Sequence, residues 1–198
     1  MSASNGLRLR RVEHASTPFP YLFAGEAFGT VLSDAILGWL ERESRWTSVK
    51  ASFYEQYEFS LADVDPPAPL AFLADPAHMD AVRVQMEQAF DTALGAKVDA
   101  TVHKLLPGQR IRIHNDFIEG AETHRLVVQL NRGWRDEQGG FLMLFNSPDP
   151  SDVHRVFSPS HDTAVAFAIS PDSHHAVSTI HTGKRFTLVY SFYAAAGD

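Results

Sequence analysis

The chain has 198 residues, a length suited to one domain, and its 44% hydrophobic and 21% charged side chains are enough to build a core without staples. It contains no cysteine, which excludes disulfides, thiolate-held zinc, iron–sulfur clusters and thiol nucleophiles, so any metal must be held by nitrogen and oxygen. With 17 basic and 24 acidic residues the net charge is −7, which argues against a phosphate-tracking surface and against nucleic acid as a partner.

In chain order, the basic stretch up to residue 16 is not followed by an apolar segment of secretory length, and no run approaches the ~18 apolar residues of a membrane span. A cytoplasmic protein with no membrane partner is expected. Residues 30–45 place Leu32, Ile36, Leu37 and Leu40 on one stripe and predict a helix. Residues 48–61, rich in Phe and Tyr, have strand character, and the proline-rich residues 65–69 read as a rigid loop. A second helix is predicted over 78–94, with Met79, Val82, Met86 and Phe90 on one face and Gly95 as its C-cap. From residue 97 the texture changes to short runs separated by Gly, Pro, Asn, Asp and Ser: 98–106, 109–114, 124–130, 141–145, 153–157, 163–169, 176–180 and 185–193. Strands at this spacing predict an α+β fold with a jelly-roll β core and the N-terminal helices packed on the outside of one sheet.

Eight of the ten histidines follow residue 100. His114-Asn115-Asp116 ends one predicted strand, and side chains at i and i+2 of an extended backbone share a face, so imidazole and carboxylate could bind one ion. A second imidazole comes from Ser173-His174-His175-Ala176-Val177, about 60 residues later. Two neutral imidazoles and one carboxylate form the facial triad expected for non-haem Fe(II) that activates O2. Arg185, on the following predicted strand next to the one that begins at His175, offers a planar guanidinium suited to a terminal carboxylate in a closed pocket.

Residues 98–193 resemble the double-stranded β-helix core, cupin-like in form, of the Fe(II)- and 2-oxoglutarate-dependent oxygenases, in particular their prolyl-hydroxylase-like branch. The resemblance is carried by Leu106-Pro107-Gly108, His114-Asn115-Asp116, the run from His124 to Asn131, Trp134, Gly139-Gly140-Phe141-Leu142, Phe167, Ser173-His174-His175-Ala176-Val177 and Gly183-Lys184-Arg185-Phe186-Thr187-Leu188. It implies a single oxygenase domain over 1–198, with 1–96 as a supporting, substrate-facing layer and 97–193 as the catalytic core.

By the same resemblance His114, Asp116 and His175 are the iron ligands, His175 being preferred to His174 because the family places a valine two residues later. Arg185 would meet the distal carboxylate of 2-oxoglutarate, with Thr187 beside it. Relatives often carry tyrosines where this chain has Gln129 and Leu105; Gln129 can replace a hydrogen bond, and His103, on the strand face of Leu105, is a candidate for the other. Gly139-Gly140 reads as a doublet where a side chain would obstruct close approach. The implied cofactors are Fe(II), 2-oxoglutarate and O2. The implied reaction is hydroxylation of an unactivated C–H of an amino-acid side chain, in a peptide or a free amino acid, with succinate and CO2 as co-products. Tailoring of a small natural product is the alternative, and a non-catalytic β-barrel binding protein the remote one. Arg112, Tyr54 and Tyr57 are the candidate substrate contacts; His124, Arg125, His154, His161 and His181 are expected at the surface. Nothing in the sequence sets an oligomeric state.

Overall fold

Alternation along the strands of the second half divides their side chains between two apolar layers, and this division builds the fold. The computed structural model describes residues 6–195; residues 1–5 and 196–198, the ends of the expected domain, lie outside the described residues. The strands are β1 (Arg10–Ala15), β2 (Tyr21–Glu26), β3 (Thr47–Lys50), β4 (Glu55–Ser60), β5 (Leu94–Leu105), β6 (Ile111–His114), β7 (Glu122–Gln129), β8 (Leu142–Phe145), β9 (Val153–Phe157), β10 (Ala164–Ala168), β11 (His175–Val177) and β12 (Arg185–Ala194). They form an eight-stranded sheet in the order β1-β2-β10-β7-β12-β5-β4-β3 and a four-stranded sheet in the order β6-β11-β8-β9, with every pairing antiparallel.

On β12, Phe186, Leu188, Tyr190 and Phe192 join the larger apolar cluster with Leu126 and Val128 of β7. That cluster also holds Ile36, Leu37 and Leu40 of α1 (Thr30–Arg42) and Val82 and Met86 of α2 (Pro76–Phe90), so both helices cover the outer face of the larger sheet. The residues of opposite parity, Val127, Val165, Phe167 and Val189, meet Leu142, Leu144, Phe157 and Val177 of the smaller sheet in a second cluster between the sheets. The result is the double-stranded β-helix expected from the sequence.

Several local expectations need correction. The first helix stops at Arg42, because Glu43 turns extended and donates its N–H to the Trp39 carbonyl. The second starts at Pro76, where the Asp75 side chain accepts from the Ala77 N–H, and stops at Phe90, where Asp91 takes a left-handed conformation. Gly95 is therefore no cap but lies in β5, where a Cβ would stand 2.7 Å from the Ala194 carbonyl oxygen. The segment 48–61 is not one strand but the hairpin β3–β4, closed by the Ala51 N–H to Tyr54 carbonyl bond of 2.9 Å. The strands β1 and β2 were not foreseen. Finally, β11 and β12 are successive in the chain but belong to different sheets, so Arg185 faces the His175 strand across the sandwich instead of beside it. Among the described residues no helix is long and apolar enough to cross a membrane.

Candidate active site

The antiparallel pairing of β6 with β11 sets His114 directly opposite His175, with ring centroids 4.2 Å apart. Asp116 reaches them differently from the shared-face expectation. The strand ends at His114, and Asp116 adopts φ 58, a left-handed conformation that Asp tolerates better than most residues. The loop is held in that shape by bonds to the segment preceding β11: Asn115 Nδ2 donates to the Pro171 carbonyl at 2.8 Å, and Ser173 Oγ donates to the Asn115 carbonyl at 2.8 Å. As a result one ligand atom from each of His114, Asp116 and His175 lies within 4.8 Å of the others.

The protonation of this cluster follows from its neighbours. Nδ1 of His114 lies 2.8 Å from the Arg112 carbonyl and Nδ1 of His175 lies 2.8 Å from the Ser173 carbonyl. A carbonyl only accepts, so each Nδ1 carries the proton and, in the neutral ring, each Nε2 is a bare lone pair. Burial pushes the His175 imidazole below its ordinary value, which keeps it neutral. Those lone pairs point at the Asp116 oxygens, 3.2 Å from His114 and 3.1 Å from His175. Burial alone would push the Asp116 carboxyl up, yet the Arg125 guanidinium that donates to it outweighs burial and holds the group ionised, well below the usual carboxylate range. Three electron-pair donors converging on one point are a site built for a cation, and the two-imidazole, one-carboxylate set suits Fe(II).

Across the sandwich, Arg185 is 2% exposed, and among the described residues it has no ion-pair partner; its Nε and Nη2 have no hydrogen-bond partner. Burial pushes this guanidinium down to about 9. Thr187, on the same face of β12, and Gln129, its register partner on β7, are each 1% exposed, and both amide atoms of Gln129 lack a partner. His103 pairs in register with Thr187 from the other side and lines the same 60 Å³ cavity as Arg185, Thr187, His114 and His175. A buried cation with unpaired donors is costly unless an anion meets it, so the cavity fits a dicarboxylate such as 2-oxoglutarate.

The glycine doublet supports this wall. A Cβ on Gly140 would stand 2.7 Å from Ile180 Cδ1 and 3.0 Å from Arg185 Cδ, and one on Gly139 would stand 2.1 Å from the Thr179 carbonyl oxygen.

Arg125 departs from the surface role expected for it. It projects inward from β7, donating from Nη1 to Asp116 Oδ2 and from Nη2 to Glu122 Oε2. The signal was present: Gln129 faces the interior, and Arg125 has the same strand parity. His124, one position away, has the opposite parity and packs edge-on to Phe90 of α2. His174 is absent from the cluster and bonds the Asp172 carbonyl at 3.2 Å.

The three candidate substrate contacts separate. Tyr54 bridges to Ile111 of β6, and its neighbour Phe53, which the sequence did not single out, stacks on the His114 ring at 4.6 Å. Arg112 is exposed and lines the groove that Phe53 and Tyr54 border. Tyr57 is removed from the set: it pairs with Lys104, whose Nζ lies 4.9 Å from its ring centroid and 4.2 Å from that of Trp46, on the face of the sheet away from the triad.

Comparison with known proteins agrees with this geometry. Residues 100–192 match the family model of the 2OG-Fe(II) oxygenase superfamily, whose members use Fe(II), 2-oxoglutarate and O2. The fold is shared with a prolyl-4-hydroxylase from Pseudomonas putida (20% identity, TM-score 0.73, covering 89% of this chain and 93% of that one). It is also shared with a prolyl hydroxylase from Trichoplax adhaerens in complex with a peptide fragment of the hypoxia inducible factor oxygen degradation domain (13% identity, TM-score 0.71, 87% and 83% covered). A viral collagen prolyl hydroxylase from Paramecium Bursaria Chlorella virus-1, in complex with 2-oxoglutarate, is similar at 13% identity and a TM-score of 0.59, with 88% and 96% covered. No curated protein matches the chain in sequence.

Proposed function

Because residues 100–192 belong to the 2OG-Fe(II) oxygenase superfamily and the chain is a 2-oxoglutarate-dependent dioxygenase, we propose that it hydroxylates an unactivated C–H of an amino-acid side chain, in a peptide or in a free amino acid, leaving succinate and CO2. The observation that carries the reading is the convergence of three ligand atoms across a small cavity from a buried guanidinium that has no carboxylate partner among the described residues. In this assignment His114, Asp116 and His175 hold Fe(II), and Arg185, with Thr187 beside it, receives the distal carboxylate of 2-oxoglutarate. The bound metal and co-substrate supply the oxidising power, drawn from O2.

The chain's own residues supply orientation and exclusion. The carbonyls of Arg112 and Ser173 hold both imidazoles in the ligating tautomer, and Arg125 holds Asp116 in its left-handed turn. Val127, Leu142, Phe167 and Val189 line the cavity with apolar surface that keeps water away from the reacting bond. Gln129 and His103 stand as the polar neighbours that replace the tyrosines found in relatives. A peptide substrate is favoured by the open groove beside Phe53 and by the peptide held in the T. adhaerens relative.

The test is an anaerobic titration with Fe(II) and 2-oxoglutarate, watching for the visible charge-transfer band, with His114→Ala, Asp116→Ala and His175→Ala alongside. The wild type is expected to give the band and each variant to lose it. A reduced wild type with no band overturns the reading in favour of a non-catalytic β-barrel. Succinate release with small amides but not with peptides moves it to tailoring of a small molecule.

A further inference from the structure

The groove beside the triad carries more charge information than the net charge of the chain suggests. The total is −7 and residues 1–100 hold −6 of it, so an exposed, uncompensated positive patch runs against the average. The groove encloses about 480 Å³ between the β3–β4 turn and the segment leading into β6. Phe53, which lines it, also stacks on the His114 ring, so groove and candidate metal site share a wall. Of its charged residues, Lys50 and Glu55 satisfy each other at 2.9 Å across the base of the hairpin. Arg110 and Arg112 remain. They are two residues apart, both exposed, both on the groove, and among the described residues neither has a carboxylate partner.

We propose that this groove binds an acidic segment of a peptide substrate, with Arg110 and Arg112 meeting carboxylate side chains close to the residue that is oxidised. The proposal rests on the peptide-hydroxylase reading above and names its substrate class. The chemistry is direct. Guanidinium groups pair with carboxylates in a planar fork, whereas a lysine- or arginine-bearing segment would meet like charge at the same place. Tyr54 and Phe53 offer aromatic surface against which the segment's backbone and apolar side chains can lie. Because both arginines are solvated, each pair contributes modestly and is screened by salt, and the preference shows as selectivity more than as tight binding.

The experiment uses the full chain and three fluorescent pools of twelve-residue peptides, random except at two adjacent central positions fixed as Glu, Gln or Lys, beside a fourth pool fixed there as phosphoserine. Binding is read by anisotropy without iron, and 2-oxoglutarate turnover by succinate release in the loaded enzyme. The Glu pool is expected to bind about three- to tenfold more tightly than the Gln pool and to fall towards it in 0.5 M salt, with the Lys pool weakest. In the double variant Arg110→Glu, Arg112→Glu the order is expected to reverse, with Lys now preferred, a result that misfolding would not give. Equal binding of the three pools, or a Lys preference in the wild type, overturns the proposal. A phosphoserine pool that exceeds the Glu pool more than tenfold overturns the carboxylate assignment in favour of phosphate. Because anisotropy needs no iron, absence of the charge-transfer band would overturn the oxygenase reading without altering the pool order, and the two failures are distinguishable.

Discussion

Replacing Arg185 with Met should make the protein more stable and at the same time unable to respond to 2-oxoglutarate. The side chain is 2% exposed, with Nε and Nη2 unpartnered among the described residues, and burial lowers its guanidinium from the ordinary arginine value to about 9. A drop of that size corresponds to about 5 kcal/mol of unfavourable interaction held in the folded state. Met has similar length and no charge to bury, and replacement of buried ions by apolar side chains returns ~1–4 kcal/mol. Taking about 2 kcal/mol, the melting temperature of a domain of this size should rise by about 4–8 °C. The assay is thermal unfolding of wild type and Arg185→Met under anaerobic conditions with Fe(II), with and without 2-oxoglutarate. At a hundredfold excess over its Kd the co-substrate should add about 2.7 kcal/mol to the wild type and nothing to the variant. A variant that melts below the wild type would refute the reasoning, because it would mean that the charge is already compensated. A variant still stabilised by 2-oxoglutarate would refute the assignment of its carboxylate to Arg185.

Two further outcomes concern the scaffold. His78 is buried with Nε2 3.0 Å from the Tyr190 hydroxyl, and burial pushes the imidazole down to about 4. The unfolded chain takes up this proton near pH 6.5 but the folded chain only near pH 4, so the stability contribution is complete above about pH 7 and is lost as pH falls through that window. In urea unfolding, the stability gap between wild type and His78→Phe should shift against the wild type by about 2 kcal/mol between pH 7.5 and 4.5, and a constant gap would show that the imidazole titrates normally. Gly139 has φ 71 and ψ −147, a region open to glycine, and a Cβ there would press on the Thr179 carbonyl oxygen. Gly139→Ala is expected to cost more than about 3 kcal/mol in thermal denaturation, against about 1 kcal/mol for Gly120→Ala, where φ is also positive but a Cβ would meet no atom within 4 Å beyond its chain neighbours among the described residues. Equal losses would mean that backbone conformation alone sets the cost.

The sequence by itself determined the β core and named the residues that meet at its centre, because both depend on local chemistry. Period-two alternation marks a strand wherever one face is buried, and imidazole and carboxylate are the metal-ligating side chains left in a chain without cysteine. The same alternation would have placed Arg125 inside, since it shares parity with Gln129, but a charged residue at the start of a strand reads as solvated until Asp116 and Glu122 are known to stand beside it. Strand β1 lacked even that signal: five of its six residues are exposed, so its membership in the larger sheet comes from pairing with β2 and not from a pattern of its own. The tertiary structure alone decided three things. It turned Asp116 towards the histidines through a positive φ instead of a shared strand face, it set Arg185 across the sandwich from His175, and it laid Phe53 over His114 while moving Tyr57 to the other face of the sheet. Each depends on which strand lies next to which, and register between strands distant in the chain is set by packing of the whole.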